Sequence, residues 1–246
     1  MTSSEAKTHT MRAVIALRRK IVGGEFEAGM RLLEVSVAET LDISRTPVRE
    51  AMSRLVEEGL IDRLPNGGFA VRRFTYADAS DAVELRGVLE GTAARLAAER
   101  GADPAALERM EAILDQLDEF LAGIEGSDFK KYAELNDAFH EELAGLSNSD
   151  LMRRELERIV SLPFAAPSSF LPDPRNIEAF RRSLDIAQVQ HREIVSAIRN
   201  REGARAESLL KEHSRLARNN FDYVIGRSDF SLRDVPELFM LAEDDV

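Results

Sequence analysis

The stretch Ser44-Arg45-Thr46-Pro47-Val48-Arg49-Glu50-Ala51-Met52 decides how this chain is read. Ser44 is placed to cap a helix, and Pro47 falls in the first turn, where a missing N–H costs little. Arg45 and Arg49 are four residues apart, so both guanidinium groups share one helical face. Val48, Met52 and Leu55 lie on the opposite face. Two arginines and a hydroxyl in the opening turn suit a helix that enters the major groove end-on. There an Arg fork reaches guanine O6 and N7, and Thr or backbone N–H groups meet phosphate.

The flanking sequence builds a domain around that helix. Met11, Val14, Ile15, Leu17 and Ile21 predict an amphipathic helix ended by Gly23-Gly24, and Val35–Leu41 predicts a second. Met30–Leu33 is a brief extended segment, and Gly59 stops the recognition helix. Leu60–Leu64 and Phe69–Phe74 flank Pro65-Asn66-Gly67-Gly68, which signals a β-hairpin. Arg31 is a candidate phosphate anchor, and the tip Asn66, Gly67 and Gly68 leaves room to approach the minor groove. Three helices and a hairpin make a winged helix-turn-helix over residues 1–75.

From about residue 76 the chain predicts an all-α antiparallel bundle of six or seven helices, giving a mainly α protein. The helices are expected at 77–100, 104–123, 127–147, 149–160, 176–200 and 203–225, with a proline-containing loop at 161–174 and an acidic tail at 229–246. The net charge of −11 hides an asymmetry. Residues 1–75 carry 12 Lys/Arg against 10 Asp/Glu, and the rest carries 21 against 34. A basic head can meet phosphate while an acidic remainder keeps clear of it. The absence of Cys excludes disulfides and thiolate metal sites. No secretory signal or membrane-spanning run is legible, so a cytoplasmic protein is expected.

Three of the four histidines fall on apolar faces of the second domain. His140 follows Asn136 by one turn and precedes Leu143 and Ala144. His191 aligns with Leu184, Ala187, Ile194 and Val195, and His213 aligns with Leu209, Leu210 and Leu216. Each could be a satisfied core residue. If the helices converge, three imidazoles and one side-chain oxygen make a first-row metal site with room for an outside ligand. Arg86 lies on the inward side of its helix and needs an anion or carbonyl partner, either a carboxylate of the chain or a bound acid.

Gly29-Met30-Arg31-Leu32, Ser44 to Ala51, Leu55-Val56-Glu57-Glu58-Gly59-Leu60 and Gly67-Gly68-Phe69 resemble the GntR family of bacterial transcription regulators. The resemblance implies operator contacts from Arg31, Arg45, Thr46, Arg49 and Gly68. Pro47, Asn66 and Gly67 belong to the same candidate surface. Leu33 stands where a small capping residue is usual, and Ala28 where Pro is common.

Glu84-Leu85-Arg86 through Leu96-Ala97 resembles the first helix of the FCD effector domain of FadR-type members. Asn136-Asp137-Ala138-Phe139-His140, Gln190-His191-Arg192-Glu193-Ile194 and Lys211-Glu212-His213 are similar to its ligand segments. The resemblance implies metal ligands at Asn136, His140, His191 and His213, with Asn in place of the usual Asp. It also implies a divalent ion of the Zn, Ni or Mn class and a small carboxylate effector held with Arg86. The expected protein is a homodimer joined through the helical domain, with no membrane partner. It would repress from a palindromic operator in double-stranded DNA and release it when an organic acid binds. A helical metalloenzyme and an effector-independent DNA-binding protein are the competing readings, and an enzyme is not expected.

Overall fold

The computed structural model describes residues 3–123, 128–162, 164–170, 178–226 and 241. It divides into two compact units, Met1–Asp78 with Ser231–Val246, and Ala79–Phe230.

In the first unit, α1 (Ser3–Val22) and α2 (Glu34–Leu41) both pack on α3 (Arg45–Glu57). The α1 face that turns inward is Thr10, Ala13, Val14, Leu17 and Ile21. Met11 and Ile15, expected on that face, are exposed, because Thr10 and small Ala13 take the contact positions instead. Thr10 donates to Glu50 at 2.7 Å, which links α1 to α3. Val48, Ala51, Met52 and Leu55 of α3 are fully enclosed.

Ser44 is the N-cap of α3 with extended dihedrals, yet its hydroxyl makes no capping hydrogen bond. The reason is local. Pro47 occupies the third helical position, so the N–H that a capping oxygen most often takes is missing. Leu33 likewise caps α2 without a side-chain bond.

The strands β1 (Arg31–Leu32), β2 (Ile61–Arg63) and β3 (Phe69–Val71) form an antiparallel sheet in the order β1-β3-β2. The wing turns at Leu64–Gly68, where the Gly67 N–H donates to the Leu64 carbonyl and the Leu64 N–H to the Gly68 carbonyl. Gly67 and Gly68 have φ of 81° and 92°, which a residue with a Cβ adopts only under strain. Past the sheet, Phe74 forms an isolated parallel bridge with Leu241. The rest of the expected tail, 229–246, lies outside the described residues. So do the 124–127 link and positions 171–177.

The second unit is helical among the described residues: α4 (Tyr76–Arg100, entering from the first unit), α5 (Pro104–Ala122), α6 (Phe129–Leu146), α7 (Asp150–Val160), α8 (Glu178–Arg199) and α9 (Gly203–Ile225). The starts of α5, α6 and α7 are capped by Asp103, Asp128 and Ser149, whose side chains accept from backbone N–H groups. A core built from Met110, Leu114, Phe139, Leu143, Ile194 and Leu210 ties α5, α6, α8 and α9 together. The buried face of α4 is rich in Ala and Gly. A Cβ on Gly87 would lie 2.1 Å from Ser214 Oγ, so α4 and α9 approach closely there. The segment after α7 is a run of turns that buries Phe164, Ala165 and Phe170.

Candidate DNA-binding surface and histidine site

On the head, Arg45, Thr46 and Arg49 are exposed along one side of α3. Pro47 is buried with Val48, so its contribution is to the helix start rather than to a surface. Glu34, not singled out in the sequence, grips Arg49 with both carboxylate oxygens at 2.7 and 2.8 Å. It also lies 3.9 Å from Arg45. The bond from Arg49 holds the Glu34 carboxyl below its usual range. Arg31 points to the wing tip, with Nη2 3.5 Å from the Gly67 carbonyl oxygen. Asn66, Gly67 and Gly68 are exposed. Arg45, Thr46 and Arg49 of α3 thus share one exposed face without Pro47, and Arg31 shares the wing tip with the glycines.

In the second unit, His140 from α6, His191 from α8 and His213 from α9 are buried, and one ligand atom from each lies within 4.8 Å of the others. The Nε2 atoms of His191 and His213 face each other at 3.2 Å. Each ring's other nitrogen has its own oxygen: Glu90 Oε1 at 2.8 Å from His140 Nδ1, Gln188 Oε1 at 3.3 Å from His191 Nδ1, and Gln190 Oε1 at 3.0 Å from His213 Nδ1.

The tautomers follow from those partners. Gln188 spends its amide hydrogens on the Leu114 carbonyl and Asp118, so its oxygen faces His191. A carboxylate can only accept, so His140 donates from Nδ1 to Glu90. Both rings therefore leave Nε2 without a proton when neutral.

Burial first, then the neighbouring imidazoles, holds His191 well below its ordinary value. Burial pushes His213 down to about 3, with His140 the next cause. These are neutral donors in a buried cluster. Two nitrogens each about 2.1 Å from one ion stand roughly 3.0–3.4 Å apart at octahedral to tetrahedral angles. The 3.2 Å pair fits a cation.

Asn136 lines the same small cavity as His213 and Arg86. Ser168 donates to Asp137 at 2.8 Å, so its oxygen accepts from Asn136 Nδ2 at 3.2 Å, and Asn136 Oδ1 is left for the cavity. Arg86 is 1% exposed. It donates from Nη1 to the Ala165 carbonyl at 2.8 Å, and its Nε stands 3.7 Å from Glu90 Oε2. Both partner types expected for Arg86, carbonyl and carboxylate, are present. Glu90, Gln188, Gln190 and Ser168 were not anticipated. Glu90 alone had a legible signal, one turn after Arg86 on α4.

Residues 81–216 match the FCD domain family, and residues 10–71 match the bacterial regulatory proteins of the gntR family. The chain belongs to the GntR family.

Similar proteins agree with this GntR membership. An uncharacterized HTH-type transcriptional regulator of Agrobacterium vitis is 35% identical over 52% of this chain and 74% of its own length. The HTH-type transcriptional repressor RspR of Escherichia coli is 27% identical over 80% of this chain and 82% of its own. Some other relatives are matched over just under two thirds of their length. A GntR transcriptional regulator of Rhodococcus sp. RHA1 has a crystal structure that covers 87% of this chain and 98% of its own, at 30% identity and a TM-score of 0.56. The family and these relatives are transcriptional regulators, not enzymes, which sets the metalloenzyme reading aside. No described helix is long and apolar enough to cross a membrane.

Proposed function

We propose that this GntR regulator is a metal-dependent, carboxylate-responsive repressor. Residues 1–75 bind a palindromic operator through Arg31, Arg45, Thr46 and Arg49, with Pro47 setting the helix start and Asn66, Gly67 and Gly68 at the groove. Residues 76–228 dimerise and sense the effector, and 229–246 form an acidic tail. The observation that carries the sensing half is the convergence of three buried imidazoles, each with Nδ1 beside a side-chain oxygen.

Asn136, His140, His191 and His213 would hold a divalent ion of the Zn, Ni or Mn class. Bound there, the ion supplies a Lewis-acid position open to an outside oxygen ligand. Arg86 supplies a guanidinium fork for the same anion. To do so it exchanges the Ala165 carbonyl for a carboxylate, which ties effector binding to the segment after α7. An anion that prefers one arrangement of the dimer shifts DNA affinity by that preference. Repression is in line with the name of one relative, the HTH-type transcriptional repressor RspR of Escherichia coli.

The test is operator titration, using a duplex selected from a random pool and a panel of small carboxylates, with divalent metal and after chelation. Release by a carboxylate only in the presence of metal is expected. Operator affinity indifferent to both would favour an effector-independent DNA-binding protein.

A further inference from the structure

Glu90 is the one acidic side chain among the buried described residues, and it is 2% exposed. Its Oε1 accepts from His140. Among the described residues its Oε2 has no hydrogen-bond partner, and neither does Arg86 Nε, which faces it at 3.7 Å. A buried carboxylate with one oxygen unsatisfied is costly, so its position calls for a reason beyond packing.

The charges around the cluster supply one. The candidate donors are three imidazoles and the Asn136 carboxamide, none of which is negative. Arg86 already places a positive charge beside them. Among the described residues Glu90 is the buried carboxylate hydrogen-bonded to a candidate ligand, through the His140 ring, while Asp137, beside Asn136, is the more exposed carboxylate and bonds Ser168. A carboxylate hydrogen-bonded to the far nitrogen of a ligating imidazole fixes the ring's tautomer and raises its basicity.

We propose that Glu90 is a positioning residue of the histidine site: through His140 it keeps Nε2 bare and supplies the negative charge that Asn136 lacks. This rests on the metal reading above. It differs from a plain Arg86 counter-ion role, in which the loss of Glu90 would leave cation affinity unchanged.

The experiment is chelator competition with Zn²⁺ and Co²⁺ on the full chain: wild type, Glu90→Gln, and Glu90→Gln with Asn136→Asp. Gln keeps the size and an accepting oxygen but loses the charge. The expected result is a roughly 10–100-fold weaker affinity in Glu90→Gln, largely recovered when Asn136→Asp restores a negative charge at the site. Wild-type affinity retained in Glu90→Gln would overturn the inference and leave the metal reading standing. No tight binding in the wild type would overturn both.

A second measurement needs no variant, should Glu90→Gln fail to fold. Side-chain ¹⁵N spectra of the wild-type protein are expected to show His140 with its proton on Nδ1. A proton on Nε2 in the metal-free protein would overturn the proposal.

Discussion

The facing nitrogens of His191 and His213 are the detail on which the proposed sensing role turns. At 3.2 Å the two nitrogens suit a shared proton or a shared cation, and the Gln188 oxygen beside His191 Nδ1 leaves that ring's Nε2 bare. Burial holds both rings neutral, which has a consequence for stability. The folded-state value for His213, about 3, lies below the ordinary 6.5. Between those values the unfolded chain holds the extra proton, so stability is full above about pH 6.5 and drains as pH falls toward 3. Thermal unfolding of metal-free protein should therefore show a midpoint that drops from pH 7 to pH 5. The drop should be shallower in His213→Asn, and an equal slope in both proteins would refute the assignment. The inward position of these histidines was legible from apolar neighbours at helical spacing. Glu90 had only its place one turn after Arg86 to mark it, because the face the two share is rich in Ala and Gly and gives little contrast between inside and outside.

At the scale of elements, strong periodicity and clear punctuation made the helices readable. Asp103-Pro104 and Ser149 mark starts by capping chemistry, and the left-handed Gly59 marks a stop. The sheet was harder, because β1 is two residues long and its pairing with β3 is a tertiary event. Close approach of helices was likewise hidden, although glycine permits it. Gly87 has no space for a side chain against Ser214, whereas a Cβ at Gly145 on α6 would meet no other described residue within 4 Å. Gly87→Val should destabilise by about 1–3 kcal/mol through overpacking. Gly145→Ala should be neutral or stabilising by roughly 0.5–1 kcal/mol, since Ala loses less backbone freedom in a helix. Denaturant unfolding of both variants checks this. Equal effects would show that the α4–α9 contact is looser than described.

For the whole molecule, the division of charge in the sequence follows the two matched segments, gntR over residues 10–71 and FCD over 81–216. The net acidity belongs to the residues beyond the winged head, so an acidic chain remains compatible with a DNA-binding regulator. The head's surface was readable because one dense motif fixes it. The cavity proposed for the effector was not, because it is assembled from α4, α6, α8, α9 and the segment after α7, which no local pattern brings together. The proposed sensing role requires that this assembly hold a cation. Metal analysis of untagged protein, wild type beside His191→Ala, tests it most directly. A stoichiometric divalent ion in the wild type, lost in His191→Ala, is predicted. A metal-free wild type after exposure to Zn²⁺, Ni²⁺ and Mn²⁺, or an ion kept by the variant, would contradict it.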